Sequence, residues 1–233
     1  MKRNVGFIYA HPDDETFGCS FLIRQIADEG GNPILLTATP GNAGKTGRLG
    51  TMTPEELAAK RRIELQQAAD ILGISEITHL EMGDGKLKEV DQNILAAHIA
   101  DFLNRHQIEV VVTFPEDGVS GHPDHIVIHH AVNKVVLGGQ APSVQKLYYN
   151  EVRSRGDAID KPGVLSISLG QNWKIKRDAL AAHESQILSI ERVFGDLLQA
   201  GPSSFADECF LLVWERGNVN PLKQERTIFD DLV

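Results

Sequence analysis

The run Val5-Gly6-Phe7-Ile8-Tyr9 is apolar without alternation, as a strand is when both of its faces are covered in a parallel sheet. It stops at Ala10-His11-Pro12-Asp13-Asp14-Glu15, where an imidazole and three carboxylates crowd one turn. A second run, Val110-Val111-Val112-Thr113-Phe114, is followed by Gly121-His122-Pro123-Asp124-His125. So much like charge in one turn is costly unless a cation or a proton offsets it. Histidine with carboxylate oxygen is a common donor set for zinc or iron. In open parallel sheets, ligands bind beyond the carboxyl ends of the strands. The two clusters are therefore expected to form one site at the top of such a sheet.

The rest of the chain alternates in the same way. Thr16–Glu29 has helical spacing (Phe17, Phe21, Leu22, Ile26) and stops at Gly30-Gly31. Pro33–Ala38 reads as the second strand. Thr53-Pro54-Glu55-Glu56 opens a helix that runs to Leu72 and is stopped by Gly73. A short strand at Glu76–Met82, a helix at Asp91–His106 and a helix at His125–Leu137 follow. Strands are then expected at Lys146–Val152, Val164–Leu169 and Cys209–Trp214, and helices at Asn172–Ser189 and Ile190–Gln199. This pattern predicts an α/β fold, doubly wound and Rossmann-like, with a mostly parallel sheet and helices on both faces. Gly138-Gly139-Gln140-Ala141-Pro142 is the best candidate boundary. The expectation is one domain over 1–233: a core over 1–138, and a smaller C-terminal extension over 143–233 that completes the sheet and walls the cleft.

A net charge of -9 and the lack of a dense Lys/Arg stripe disfavour nucleic-acid binding, which needs clustered cations. Cys19 and Cys209 sit in apolar contexts with no spacing motif and read as small buried hydrophobes. No segment approaches the roughly 20 apolar residues of a membrane span, and the N-terminus does not read as a signal peptide. A cytoplasmic protein with no membrane partner is expected.

His11 and Asp14 lie close in a tight turn, stiffened by Pro12, so their side chains can converge on one ion. Asp13 beside them should point elsewhere, which suits a base. Capping of the following helix would need one acid, not three and a histidine. Of the second cluster, His122 and His125 are both candidate ligands, and spacing does not choose between them. The other would hold a proton near a reacting carbonyl, with Asp124 as its carboxylate partner. His129 forms a His-x-x-x-His pair with His125, yet with His130 it reads as an ordinary helix residue. Thr39-Pro40-Gly41-Asn42-Ala43-Gly44-Lys45-Thr46 ends like a phosphate loop but opens no helix, so it reads as a mobile loop at the cleft mouth. Arg61 and Glu64 share a helix face, as a solvated ion pair would. Lys176, Ala179, His183 and Gln186 stack along another.

These residues together resemble the PIG-L/LmbE-like family of zinc-dependent N-acetylglucosamine de-N-acetylases. The Ala-His-Pro-Asp-Asp-Glu turn (Ala10–Glu15) and the His-Pro-Asp-His turn (His122–His125) carry the likeness. Weaker features are Arg61 with Glu64, Leu72-Gly73, Asp84-Gly85 and the Lys176–Gln186 motif. The resemblance implies a Zn2+ ion held by His11, Asp14 and His125. It also implies Asp13 as general base, His122 supported by Asp124 as oxyanion donor or acid, and Arg61 on the sugar or its aglycone. Some members place a tyrosine where this chain has Ser120, so that donor is missing. The implied reaction removes acetate from a small amino-sugar substrate, with Arg61 or Arg48 free to pair with an aglycone carboxylate. Relatives form trimers or hexamers, so a homo-oligomer is in keeping with the family. Two rivals stand beside this. A non-haem Fe(II) oxygenase also uses two histidines and a carboxylate, usually as His-x-Asp on a β-barrel. A non-catalytic metal-binding protein would need neither Asp13 nor His122.

Overall fold

The computed structural model describes residues 2–151, 162–168, 170 and 172–233. Five strands are parallel: β1 (Asn4–Tyr9), β2 (Asn32–Thr37), β3 (Glu76–His79), β4 (Val110–Thr113) and β5 (Lys146–Glu151). Beyond β5 the same sheet continues antiparallel through β7 (Glu208–Glu215) and β6 (Val164–Ile167), and the short β8 (Asn218–Val219) pairs with β7. The order is β3-β2-β1-β4-β5-β7-β6. The strands expected at Lys146–Val152 and Val164–Leu169 end at residues, Val152 and Leu169, that lie outside the described ones.

The helices are α1 (Asp14–Asp28), α2 (Pro54–Leu72), α3 (Gln92–Arg105), the single turn α4 (Gly118–Gly121), α5 (Pro123–Leu137), α6 (Trp173–Ala182) and α7 (Ile187–Phe194). Helices α1, α2 and α6 pack on one another and α3 packs on α5, which gives a helical layer to each face. Covered on both sides, β1 and β4 bury every residue except Asn4, so they are apolar without alternation. The chain leaves β1 toward β2 and later returns to its other flank as β4. That reversal opens a crevice between the carboxyl ends of β1 and β4, and both charged turns lie there.

Two helix expectations need correction. The helix expected at His125–Leu137 begins at Pro123, with His122 as its cap. The stretch expected as one helix over Asn172–Ser189 is broken at His183 (φ -84, ψ 58); a 3-10 turn, Glu184–Gln186, follows before α7. The break occurs where His183 turns inward to meet Glu15, 3.0 Å away. The helix expected at Ile190–Gln199 is this α7, which ends at Gly195 with φ 78.

Helix α2 starts as its sequence implies. Thr53 accepts a hydrogen bond from the Glu56 amide, and the Glu56 carboxylate accepts one from the Thr53 amide. This capping box satisfies two donors that the helix geometry would leave unpaired. Replacement Thr53→Ala is expected to cost about 1 kcal/mol, a fall in Tm of about 2–4 °C, read by thermal unfolding followed by circular dichroism.

Candidate metal centre

At the top of β1 the backbone turns sharply. Asp13 adopts φ 109, ψ -28, a left-handed conformation that side chains other than glycine rarely take. Asp14 then opens α1, where the helix dipole favours its charge, and its Oδ2 accepts the His11 amide at 2.8 Å. The second turn is built on Gly118: a Cβ there would meet the Cβ of His125 at 2.7 Å, so only glycine fits. His125 donates from Nδ1 to the Gly118 carbonyl at 2.9 Å and stacks on Phe114 (centroids 4.0 Å apart, 7° between planes). That bond leaves its Nε2 free to face the crevice.

Four donor atoms converge. His11 Nδ1 and His125 Nε2 lie 3.2 Å apart. Asp14 Oδ2 is 3.4 Å from the first and Asp14 Oδ1 is 3.2 Å from the second. An ion with bonds of about 2.0–2.2 Å to tetrahedral ligands sets those ligands about 3.4 Å from one another, so the set fits a metal ion. On the far side of the His11 ring, Nε2 lies 3.2 Å from Asp84 Oδ1 and 3.3 Å from Asp124 Oδ2. Carboxylates in that place fix the ring's orientation and raise its basicity as a ligand. Burial works against a charged His11, but Asp124, Asp14 and Asp84 overcome it and raise its pKa well above the usual range. His125 is likewise raised, Asp14 outweighing burial. Burial works against Asp14's charge too, but the two imidazoles hold its carboxyl well below the carboxylate range.

His122 stands over this set, its ring centroid 4.8 Å from those of His11 and His125. Burial and the two imidazoles push its pKa down. Its Nδ1 accepts the Asp124 amide at 3.2 Å, so the neutral ring carries its proton on Nε2.

The expected support of His122 by the Asp124 carboxylate is corrected. Because α5 starts early, Asp124 lies in its first turn and reaches across the crevice. It accepts from the Gly85 amide (2.7 Å), the Leu87 amide (3.0 Å) and His11. Arg61 does not project into the cleft either. It is 4% exposed, donates to the carbonyls of Pro12 and Gly41, and places Nη2 3.3 Å from Asp13 Oδ2. Nor does Arg61 pair with Glu64, which accepts from the amide (2.8 Å) and hydroxyl (2.6 Å) of Ser185. Arg48 lies apart on the exposed loop, held by Glu191 of α7. Burial, aided by Asp14, pushes the Asp13 carboxyl up to about 6 despite Arg61.

Sequence reasoning gave Asp84 no role. Its signal was the Gly83-Asp84-Gly85 turn at the carboxyl end of a parallel strand, the same place in the fold as the other two clusters. Asp84 also accepts the Ala43 amide at 2.6 Å and ties the Gly-rich loop to the site. No helix begins within that loop, in line with its being no phosphate loop. His129 is buried, bonds the Phe114 carbonyl through Nδ1 at 3.0 Å and packs on Tyr149, away from the donors.

The family profile described as "GlcNAc-PI de-N-acetylase", PIG-L, matches residues 7–136. A 1D-myo-inositol 2-acetamido-2-deoxy-alpha-D-glucopyranoside deacetylase from Kineococcus radiotolerans is 32% identical over 186 residues, 64% of this chain and 52% of that protein. The chain thus spans about half the length of that relative. A probable N-acetyl-alpha-D-glucosaminyl L-malate deacetylase 2 from Bacillus cereus is 28% identical over 80% of this chain and 84% of its own length. Among solved structures, an N,N'-diacetylchitobiose deacetylase from Pyrococcus horikoshii overlays with TM-score 0.69 at 22% identity, covering 90% of this chain and 83% of that one. A 4-carboxy-2-hydroxymuconate hydratase from a Pseudomonas overlays with TM-score 0.68 at 20% identity, covering 94% and 99%. At such identities these two establish the fold alone.

The left-handed backbone at Asp13 has a measurable cost. Asp13→Gly is expected to be more stable than Asp13→Ala by about 1–2 kcal/mol, since a Cβ is penalised in this region. That reverses the order found at ordinary helical positions, and denaturant unfolding of the two metal-free variants checks it.

Proposed function

The chain belongs to the PIG-L family, and from that premise we propose that it is a zinc-dependent hydrolase that removes the N-acetyl group from an N-acetylglucosamine-type sugar in a small glycoconjugate. One observation carries this: His11 Nδ1, both oxygens of Asp14 and His125 Nε2 converge at 3.2–3.4 Å. The names of the curated relatives, deacetylases of glucosaminyl conjugates, support the substrate class.

A divalent ion bound by His11, Asp14 and His125 supplies Lewis acidity, bringing the pKa of water toward about 7 and drawing charge from a carbonyl. The remaining work falls to side chains. Asp13, with Arg61 on its Oδ2, takes the proton of the attacking water and later returns it to the departing amine. The products are acetate and the free amino sugar. His122 donates from Nε2 to the acetyl oxygen as charge develops there, a role a neutral imidazole can fill. Asp84 and Asp124 hold the His11 ring, and Arg61 acts through Asp13 rather than on the sugar. Arg48 would reach an anionic aglycone only by giving up Glu191. Among the described residues no helix is long and apolar enough to cross a membrane.

The test is a screen of N-acetyl sugars and their conjugates for acetate and primary amine formed one to one, with and without a chelator. A hydratase on the same fold makes that stoichiometry the deciding readout. Turnover of every acetamide equal to the blank, with metal bound, would refute the proposal. Asp13→Asn should keep one metal per chain and lose about 10²–10⁴-fold in kcat, the usual worth of a general base. His125→Ala should lose the metal itself, read by elemental analysis after dialysis.

A further inference from the structure

Glu15 and His183 are fully buried, face one another, and take no part in the chemistry described above. Glu15 Oε1 lies 3.0 Å from His183 Nε2, and the Thr16 hydroxyl bonds Glu15 and lies 3.2 Å from the same His183 nitrogen. The other Glu15 oxygen, Oε2, accepts the backbone amide of Asp13 at 3.0 Å. The chain of contacts thus ends on the residue whose backbone is held at φ 109. Burial opposes a charged His183, but the bond and charge of Glu15 outweigh it and raise its pKa.

Stability alone is a poor reason for such a pair. Two charges taken out of water lose much of what their attraction returns, and apolar residues of similar volume often serve as well or better. The break of the helix at His183 is a further departure from regular structure made at this contact. A strained backbone persists only where its surroundings over-determine it. Arg61 grips the turn from outside through the Pro12 carbonyl and the Asp13 carboxylate. Among the described residues, only Glu15 holds the Asp13 amide.

We propose that the Glu15–His183 pair is a positioning device: it fixes the Asp13 backbone in the left-handed conformation that sets its carboxylate beside the metal donors. The proposal rests on the reading of Asp13 as base, and it makes Glu15 and His183 positioning residues. His183 lies beyond the matched family region, residues 7–136, so a part of the chain outside that match would set the geometry of the turn inside it.

The test compares His183→Gln with His183→Asn. The glutamine amide nitrogen reaches the place of Nε2 and can still donate to Glu15; the asparagine amide reaches only the place of Nδ1. His183→Gln should retain most of kcat. His183→Asn should lose about a hundredfold, as a misplacement of about 1 Å does, with KM and metal content unchanged. A merely structural role would instead make the loss follow Tm in both variants. Crystal structures of the metal-free variants supply a readout independent of turnover: Asp13 should leave the left-handed region in His183→Asn and stay in it in His183→Gln. An unchanged Asp13 in His183→Asn, or equal kcat in the Gln and Asn variants, would overturn the proposal. If the unaltered protein released no acetate from any acetamide, the assignment of Asp13 as base would fail, while the crystallographic comparison would still decide what holds its backbone.

Discussion

Two imidazole nitrogens face one another at 3.2 Å across a carboxylate, and this contact governs the top of the sheet. Bare lone pairs repel at that distance, so a proton or a metal ion must lie between them. The charge draws together turns that are far apart in sequence, one after β1 and the other after β4. They meet because the strand order reverses between those two strands. Parallel pairing of β1 with β4 sets the depth of each turn, with Phe7 opposite Val112. The fold brings the donors near enough to share one ion.

Four aspartates within this small volume have different surroundings, and these surroundings separate their roles. Asp14 lies between two imidazoles and stays ionised. The Asp84 and Asp124 carboxylates face the outer nitrogen of His11 and are also held ionised, each bonded to backbone amides. Asp13 alone is pushed upward, to about 6, because burial outweighs the single guanidinium beside it. Titratable groups driven apart by their surroundings are what acid–base chemistry near neutral pH requires. Arg61 is apt for this: the carbonyls of Pro12 and Gly41 already claim it, so its charge moderates Asp13 without being free to leave.

The strand cores, the crevice and the first turn were legible because each rests on local pattern. Unalternating apolar runs mean two covered faces, and a histidine with an aspartate in one tight turn can share an ion. What stayed hidden was the direction in which side chains leave the backbone. Asp124 was expected beside His122, its near neighbour in sequence, but a helix that opens at Pro123 sends it across to His11. Arg61 and Glu64 occupy one helix face, yet one turns to Pro12 and the other to Ser185, partners that no periodicity reveals. The Lys176–His183 spacing reads as a single helix, and the break at His183, where it meets Glu15, leaves no mark in that periodicity. Asp84 had the right address, the carboxyl end of a parallel strand, but a lone acid between glycines also reads as a plain turn.

The C-terminal segments take part in building the site. Glu64, buried within α2, is satisfied by Ser185, and Gln186 donates to the Lys45 carbonyl at 2.8 Å. Lys60 reaches Glu184 at 2.8 Å. The 3-10 turn Glu184–Gln186 therefore stitches α2 to the Gly-rich loop, and the same loop is tied to Asp84 through Ala43 and to Arg61 through Gly41. Loss of that turn would take both Ser185 hydrogen bonds from the buried Glu64 carboxyl and leave it Lys60 at 3.6 Å, a costly change. The loop expected as mobile is thus pinned at Gly41, Ala43 and Lys45, and at Arg48 by Glu191 of α7. The early and late parts of the chain are thus joined at this loop. The late part can therefore tune the geometry at Asp13 without contributing a metal ligand.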